Sequence, residues 1–196
     1  MRNKLLVNIL GSSLMGIGIS LLIWLELGVD TISILYLGIQ QYFALPIWLL
    51  CFLFNIIVVL LIFVIERNEI GLGTVINFLI LTICLKYFPL LLANFSIDNV
   101  TQTVQGLLLL AGVCILAVGC GLYASANLGS AALEALSAVV SKKITISFKI
   151  VRIFFDGLLV IAGLLLGAKI GVGTILCVLL IGPISQRVQK NVLLLK

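Results

Sequence analysis

The sequence predicts an all-α polytopic membrane protein, with about six transmembrane helices plus two short half-helices, built as two repeats. Three observations carry that prediction. Hydrophobic residues make up 63% of the 196-residue chain and charged residues only 10%, with a mean hydropathy of +1.36. A soluble domain carries roughly a quarter charged residues, so this chain could not cover its own surface in water. Apolar runs near the length needed to cross a hydrocarbon core recur at Leu5–Leu25, Ile47–Ile65, Leu72–Leu92, Val104–Ala126 and Ile150–Ala168. Finally, the chain repeats itself. GISLLIWLELG (Gly18 to Gly28) returns 101 positions later as GCGLYASANLG (Gly119 to Gly129). IGLGTVINFLI, from Ile70, returns as IGVGTILCVLLI from Ile170. Duplicated apolar units are a common construction of membrane transporters.

The first run follows Arg2 and Lys4, as a signal peptide would. It is too long for one and lacks a small-residue cleavage site, so it is expected to be a retained span. The division expected is a first membrane repeat over 1–93, a linker loop over 94–103, and a second membrane repeat with a basic cytoplasmic tail over 104–196.

Each copy reads as a long span, a short segment, a second span, and a third span opened by Gly-x-Gly-Thr. The short segments are Asp30–Ala44, closed by Pro46, and Ser130–Val140, closed by Ser141-Lys142-Lys143. Both are short for a crossing. If they do not cross, there are six spans and the copies are inverted; if they do, there are eight and the copies are parallel. The lysines and arginines leave both open, because only Arg67 and Lys86 change sides. Length favours six. In either case Arg2, Lys4, Lys142, Lys143, Arg187, Lys190 and Lys196 fall on one side. The positive-inside rule makes that side the cytoplasm and puts both termini there.

Leu27-Gly28 and Leu128-Gly129 separate a span from a short segment in each copy. Gly28 and Gly129 permit a sharp break, and Asp30, Thr31, Ser33 and Ser130 are residue types that cap helix N-termini. A helix that starts inside the membrane exposes N–H groups needing a partner. Broken helices in matching positions of two repeats are the best pointer from sequence to a transport site; an interfacial loop with a surface helix is the plainer alternative.

Polar residues in apolar surroundings supply the candidate substrate path: Glu134, Arg152, Asp156, Asn55, Asn77 and Ser33. Arg152 and Asp156 lie four apart and share a helix face, where each lowers the cost of the other. Their counterparts in the first copy are Cys51 and Asn55, both neutral. A structural staple and a polar cavity wall both fit the pair. Glu134 lies one turn into the second short helix, with Ser33 as its counterpart. Glu26 and Asp30 read more simply as carboxylates at the water interface. Gly71, Gly73 and Thr74, like Gly171, Gly173 and Thr174, are expected to serve helix packing. No strand precedes either stretch, so neither reads as a phosphate loop.

Histidine is absent, and Cys51, Cys84, Cys114, Cys120 and Cys177 form no CxxC pair, so no metal and no cofactor is expected. No nucleophile elbow and no convergent carboxylate pair argues for an enzyme, and no basic cluster with interleaved aromatics argues for nucleic acid.

The order and spacing of Leu128-Gly129, Glu134, Leu136, Ser141-Lys142-Lys143, Arg152, Asp156, Gly171-Val172-Gly173-Thr174 and Ile181-Gly182-Pro183 resemble the YczE/YyaS/YitT group of bacterial integral membrane proteins, the YczE-like branch most closely. Leu27-Gly28, Leu35, Gly71-Leu72-Gly73-Thr74 and Asn77 repeat the pattern in the first copy. Ser33 stands where similar members carry an acidic residue. The resemblance implies a bacterial cell membrane and brings no established activity.

The expected partners are a lipid bilayer, a small-molecule substrate, and a second copy or another protein. The leading expectation is a small-solute permease or exporter. The alternatives are a non-transporting scaffold or accessory subunit of a biosynthetic or signalling assembly, and a substrate-binding subunit energised by another chain.

Overall fold

A computed structural model describes residues 2–66, 70–95, 97 and 100–194, without the side chains of Arg2 and Leu193. Arg67 and Lys196 lie outside the described residues. Among the described residues the chain is all helix: α1 (Arg2–Leu25), α2 (Thr31–Gln40), α3 (Ile47–Ile65), α4 (Leu72–Leu92), α5 (Gln102–Ala126), α6 (Ala132–Ile144), α7 (Phe148–Leu165) and α8 (Val172–Leu194). Five of them, α1, α3, α4, α5 and α8, are long and apolar enough to cross a membrane. The 18-residue α7 is as long as a minimal span but carries Lys149, Arg152 and Asp156. In lipid, helices satisfy every backbone group internally, which is why apolar runs of this length take no other form.

Helix directions follow from which residues meet. Gly11 of α1 lies against Gly119 and Tyr123 of α5, and Gly18 lies against Gly112 and Leu116. The central pair is therefore antiparallel. Gly119 is the sequence counterpart of Gly18, and Gly112 that of Gly11, so the contact is the same on both sides of an approximate two-fold axis. An axis that turns one helix antiparallel to its copy lies in the membrane plane, and the repeats are inverted. Asn8, Ser12 and Gly16 of α1 meet Gly73, Asn77 and Cys84 of α4 in that order, so those two helices run parallel. Likewise Leu109 and Gly121 of α5 meet Gly173 and Ser185 of α8. Inverted copies require an odd number of passes along the bundle each, made by α1, α3 and α4, then by α5, α7 and α8. The start of α1 and the end of α8 lie at the same end of the bundle.

Neither short helix crosses by itself. Thr31 sits level with Asp156, halfway along α7, and Gln41 sits level with Gly167 beyond its end. Thus α2 begins near mid-depth and runs outward beside α7. Its N-cap is Asp30, whose carboxylate accepts from the Ser33 backbone N–H at 3.4 Å and its hydroxyl at 2.5 Å.

Two expectations change in the second copy. Helix α6 does not stop at Ser141-Lys142-Lys143 but runs through it to Ile144. Lysines in a last turn are favourable partners for the helix C-terminus, and Lys142 also lies 3.5 Å from Glu66 at the end of α3. Ser130 is not the cap of α6; that position belongs to Ala131, and the Ser130 carbonyl is engaged elsewhere.

Candidate functional site

The two breaks have the same backbone. Helix α1 ends with Glu26 in the left-handed region (φ 55) and Gly28 at φ 116; α5 ends with Asn127 at φ 51 and Gly129 at φ 123. Glycine alone adopts the latter angles without strain. Each break is gripped by the Gly-x-Gly-Thr stretch of the other repeat. The Gly173 N–H donates to the Leu27 carbonyl at 2.9 Å, and the Gly73 N–H to the Leu128 carbonyl at 2.8 Å. Thr174 Oγ1 accepts from the Val29 N–H at 3.2 Å, while the Thr74 hydroxyl donates to the Ser130 carbonyl at 2.7 Å. Tyr123 adds a bond from its hydroxyl to the Gly129 carbonyl at 2.9 Å. A Cβ on Gly71 would fall on the Leu128 carbonyl oxygen, and one on Gly171 on that of Leu27. So these glycines do pack, and what they pack against is the opposite break. The crossed grips satisfy backbone groups that interrupted helices leave open.

Held in this way, the starts of α2 and α6 face one cavity of about 610 Å³ near the middle of the bundle. Asp30, Thr31, Ser33, Ala131 and Glu134 line it from the breaks, Asn55 and Asn77 from α3 and α4, and Arg152 and Asp156 from α7. All six candidate path residues therefore share one cavity wall. The Arg152 Nε–H donates to Asp156 Oδ2 at 3.0 Å, and the Thr31 hydroxyl donates to Asp156 Oδ1 at 2.7 Å. The carboxylate thus ties α7 of one repeat to α2 of the other. Asn77 donates from Nδ2 to the Ser12 hydroxyl at 3.0 Å, and Asn55 to the Cys51 carbonyl at 2.8 Å. Glu134 is the third residue of α6, in its first turn.

Reading the sequence alone missed Tyr36, gave Thr31 only a capping role and preferred the water interface for Asp30; all three line the cavity. Glu26 is exposed, as expected, but Asp30, four residues on, lines the cavity. The spacing of Asp30 to Ser33 marks a helix start but not its depth. All five cysteines are free thiols; Cys51, Cys120 and Cys177 line the cavity. Among the described residues no three His, Cys, Asp or Glu side chains converge as a metal site.

The cavity has one open side. Helix α3 packs along α4, but its counterpart α7 leans on α2 and barely touches α8. Phe148, Ile153, Val160, Val178, Ile181, Gly182 and Ser185 border the gap; Phe148 is 45% exposed. On the matching side of the first repeat, Leu81 and Leu85 are only 8% and 5% exposed.

This inverted, crossed-break bundle defines a class of polytopic α-helical membrane protein. The chain matches the family described as "Family of unknown function (DUF6198)" over residues 2–190, and it belongs to that family. It is similar to an uncharacterized protein of Haemophilus influenzae, 26% identical over 174 residues, which covers 89% of this chain and 78% of the relative. No solved structure matches it.

Proposed function

We propose that the protein is a small-solute permease or exporter of the bacterial cytoplasmic membrane, working by alternating access. The observation that carries this is the state of the cavity: open between α7 and α8, closed at the two-fold-related place between α3 and α4. Inverted repeats can exchange conformations, and the exchange closes the first opening while creating the second. Both openings lead to the same polar residues at mid-depth.

The charge distribution supports an orientation with both termini in the cytoplasm. Lys4, Lys142, Lys143, Lys149, Arg187 and Lys190 lie at the end holding both termini, and Lys86 and Lys169 toward the other. The positive-inside rule places the termini in the cytoplasm. The YczE-like resemblance agrees with a bacterial membrane and assigns no solute.

The test uses single cysteines in a background lacking the native five. Ser185→Cys in the open gap is expected to react readily with a thiol reagent, and its counterpart Leu85→Cys slowly. A transported solute added to proteoliposomes should raise the Leu85→Cys rate and lower that of Ser185→Cys. A stoichiometric protein partner, with neither flux nor any reciprocal change in labelling, would replace the carrier with a scaffold.

A further inference from the structure

We propose that the cavity takes an amphipathic organic monocation, an alkylammonium, with the Glu134 carboxylate as counter-ion and the hydrocarbon part along the α7–α8 gap. This rests on the carrier reading above and names its class of substrate.

Charge is the first reason. The charged side chains lining the cavity are Asp30, Glu134, Asp156 and Arg152, three acids to one base. Arg152 is paired with Asp156, whose other oxygen takes the Thr31 hydroxyl. Asp30 is engaged by the hydroxyl and N–H of Ser33 at the start of α2. Glu134 has, among the described residues, no salt bridge; the Arg152 charge acts on it from across the cavity, but that guanidinium is held by Asp156. A carboxyl at membrane depth is stable as an anion only beside a compensating positive charge.

The remaining polar atoms ask for a donor. Asn55 and Asn77 line the cavity while only 8% and 1% exposed. Each spends its NH2 on a protein acceptor, and neither amide oxygen accepts a hydrogen bond from any described residue. Two unpartnered carbonyl oxygens and a carboxylate match the three donors of a primary ammonium. A carboxylate or phosphate ligand would meet acceptors and a guanidinium already in use. Tyr36 and Phe54, edge to face at 5.8 Å, also line the cavity and offer ring faces that attract a cation.

The apolar part is set by the entrance. Phe148, Ile153, Val160, Val178 and Ile181 border the gap. Ile153 and Gly157 also line a groove of about 390 Å³ on the outer face of α7, so this helix is a thin wall between cavity and bilayer. A ligand with a hydrocarbon tail fits an entrance of this kind; a fully hydrated inorganic cation does not.

Hexylammonium, hexanoate and hexanol share a tail and differ in charge. With the full chain in nanodiscs, calorimetry and thermal shift should show binding of hexylammonium and of neither other compound. Glu134→Gln should weaken that binding by about thirtyfold or more, the low end for truncating a buried hydrogen-bonded charge pair. Should Glu134→Gln fail to fold, Gly157→Phe is the second variant, because a Cβ at Gly157 meets nothing within 4 Å. It should fold, fill the gap and slow hexylammonium association. Equal binding of hexanoate or hexanol overturns the proposal, as does unchanged hexylammonium binding in Glu134→Gln or, if that variant does not fold, unchanged association in Gly157→Phe. Hexylammonium binding without flux would overturn the carrier and leave the cation site standing. Flux of an anionic or neutral solute that hexylammonium does not inhibit would overturn the cation class and leave the carrier.

Discussion

The α3–α4 and α7–α8 hairpins come from the same repeated unit, yet the first is zipped and the second gapes. The cause is visible where each outer helix meets the other repeat's half-helix. Gly163 of α7 lies against Gly38 and the Ile34 backbone of α2. The matching positions in the first repeat's contact are Ile62 of α3 and Val139 of α6, both fully buried. Two glycines let α2 and α7 approach closely; an isoleucine and a valine hold α3 and α6 further apart. So α7 is drawn onto α2 and away from α8. The first hairpin is fastened instead by Phe52 against Phe78, ring centres 6.0 Å apart, and by Lys86 over Trp48 at 5.0 Å. The unequal helix spacing decides which side of the cavity is open.

The Arg152–Asp156 pair is the second hold on α7, and breaking it should have the largest effect. Its counterparts, Cys51 and Asn55, do without charge. Arg152→Cys alone or Asp156→Asn alone leaves one partner stranded, and each should cost about 3–5 kcal/mol. The double variant, which copies the first repeat, should recover much of that loss. Folded yield and melting temperature in detergent would measure all three. Double-variant damage equal to the sum of the singles would mean that the two charges act separately.

The spacing itself can be tested by Gly163→Ile. A Cβ there would lie 2.7 Å from the Ile34 carbonyl oxygen, and a backbone atom cannot step aside. The helices must part, at a cost of about 1–3 kcal/mol for the overpacking. Freed from α2, α7 should settle toward α8, and the Ser185→Cys thiol should react several times more slowly. An undiminished rate would show that the gap does not depend on the glycine contact.

How much of this was legible beforehand follows from what each residue costs in lipid. Asn55, Asn77, Glu134, Arg152 and Asp156 stand out because polar groups are expensive at membrane depth, and all of them line the cavity. The breaks were legible because Leu-Gly recurs in both copies. Their grip by Gly71–Thr74 and Gly171–Thr174 was not, because nothing local ties Leu27 to Gly173, 146 positions away. Nor was the asymmetry: Gly38 and Gly163 are two glycines among 18, and only the fold brings them together. The depth of Asp30 depended on where α1 ends relative to α5, which a hydropathy run does not reveal.

The smallest expected effect concerns another departure from two-fold symmetry. Asn8 is fully buried in α1, and among the described residues neither of its amide atoms has a hydrogen-bond partner. Its counterpart in α5 is Leu109, 4% exposed. Both occupy the same place: a Cβ on Gly73 would lie 2.7 Å from Asn8 Nδ2, and one on Gly173 would lie 2.8 Å from Leu109 Cδ1. Leucine fits that place in the second repeat, so Asn8→Leu should fit in the first. Removing two unsatisfied polar atoms should stabilise the protein by about 1–2 kcal/mol. The change lies behind the second break, outside the cavity lining, so hexylammonium binding should be unaffected. A loss of stability in Asn8→Leu would mean that the amide serves a water or ion beside Leu128 that has no equivalent beside Leu27. The two breaks would then differ in kind, and the asymmetry of the protein would extend from its hairpins into the grips that hold its half-helices.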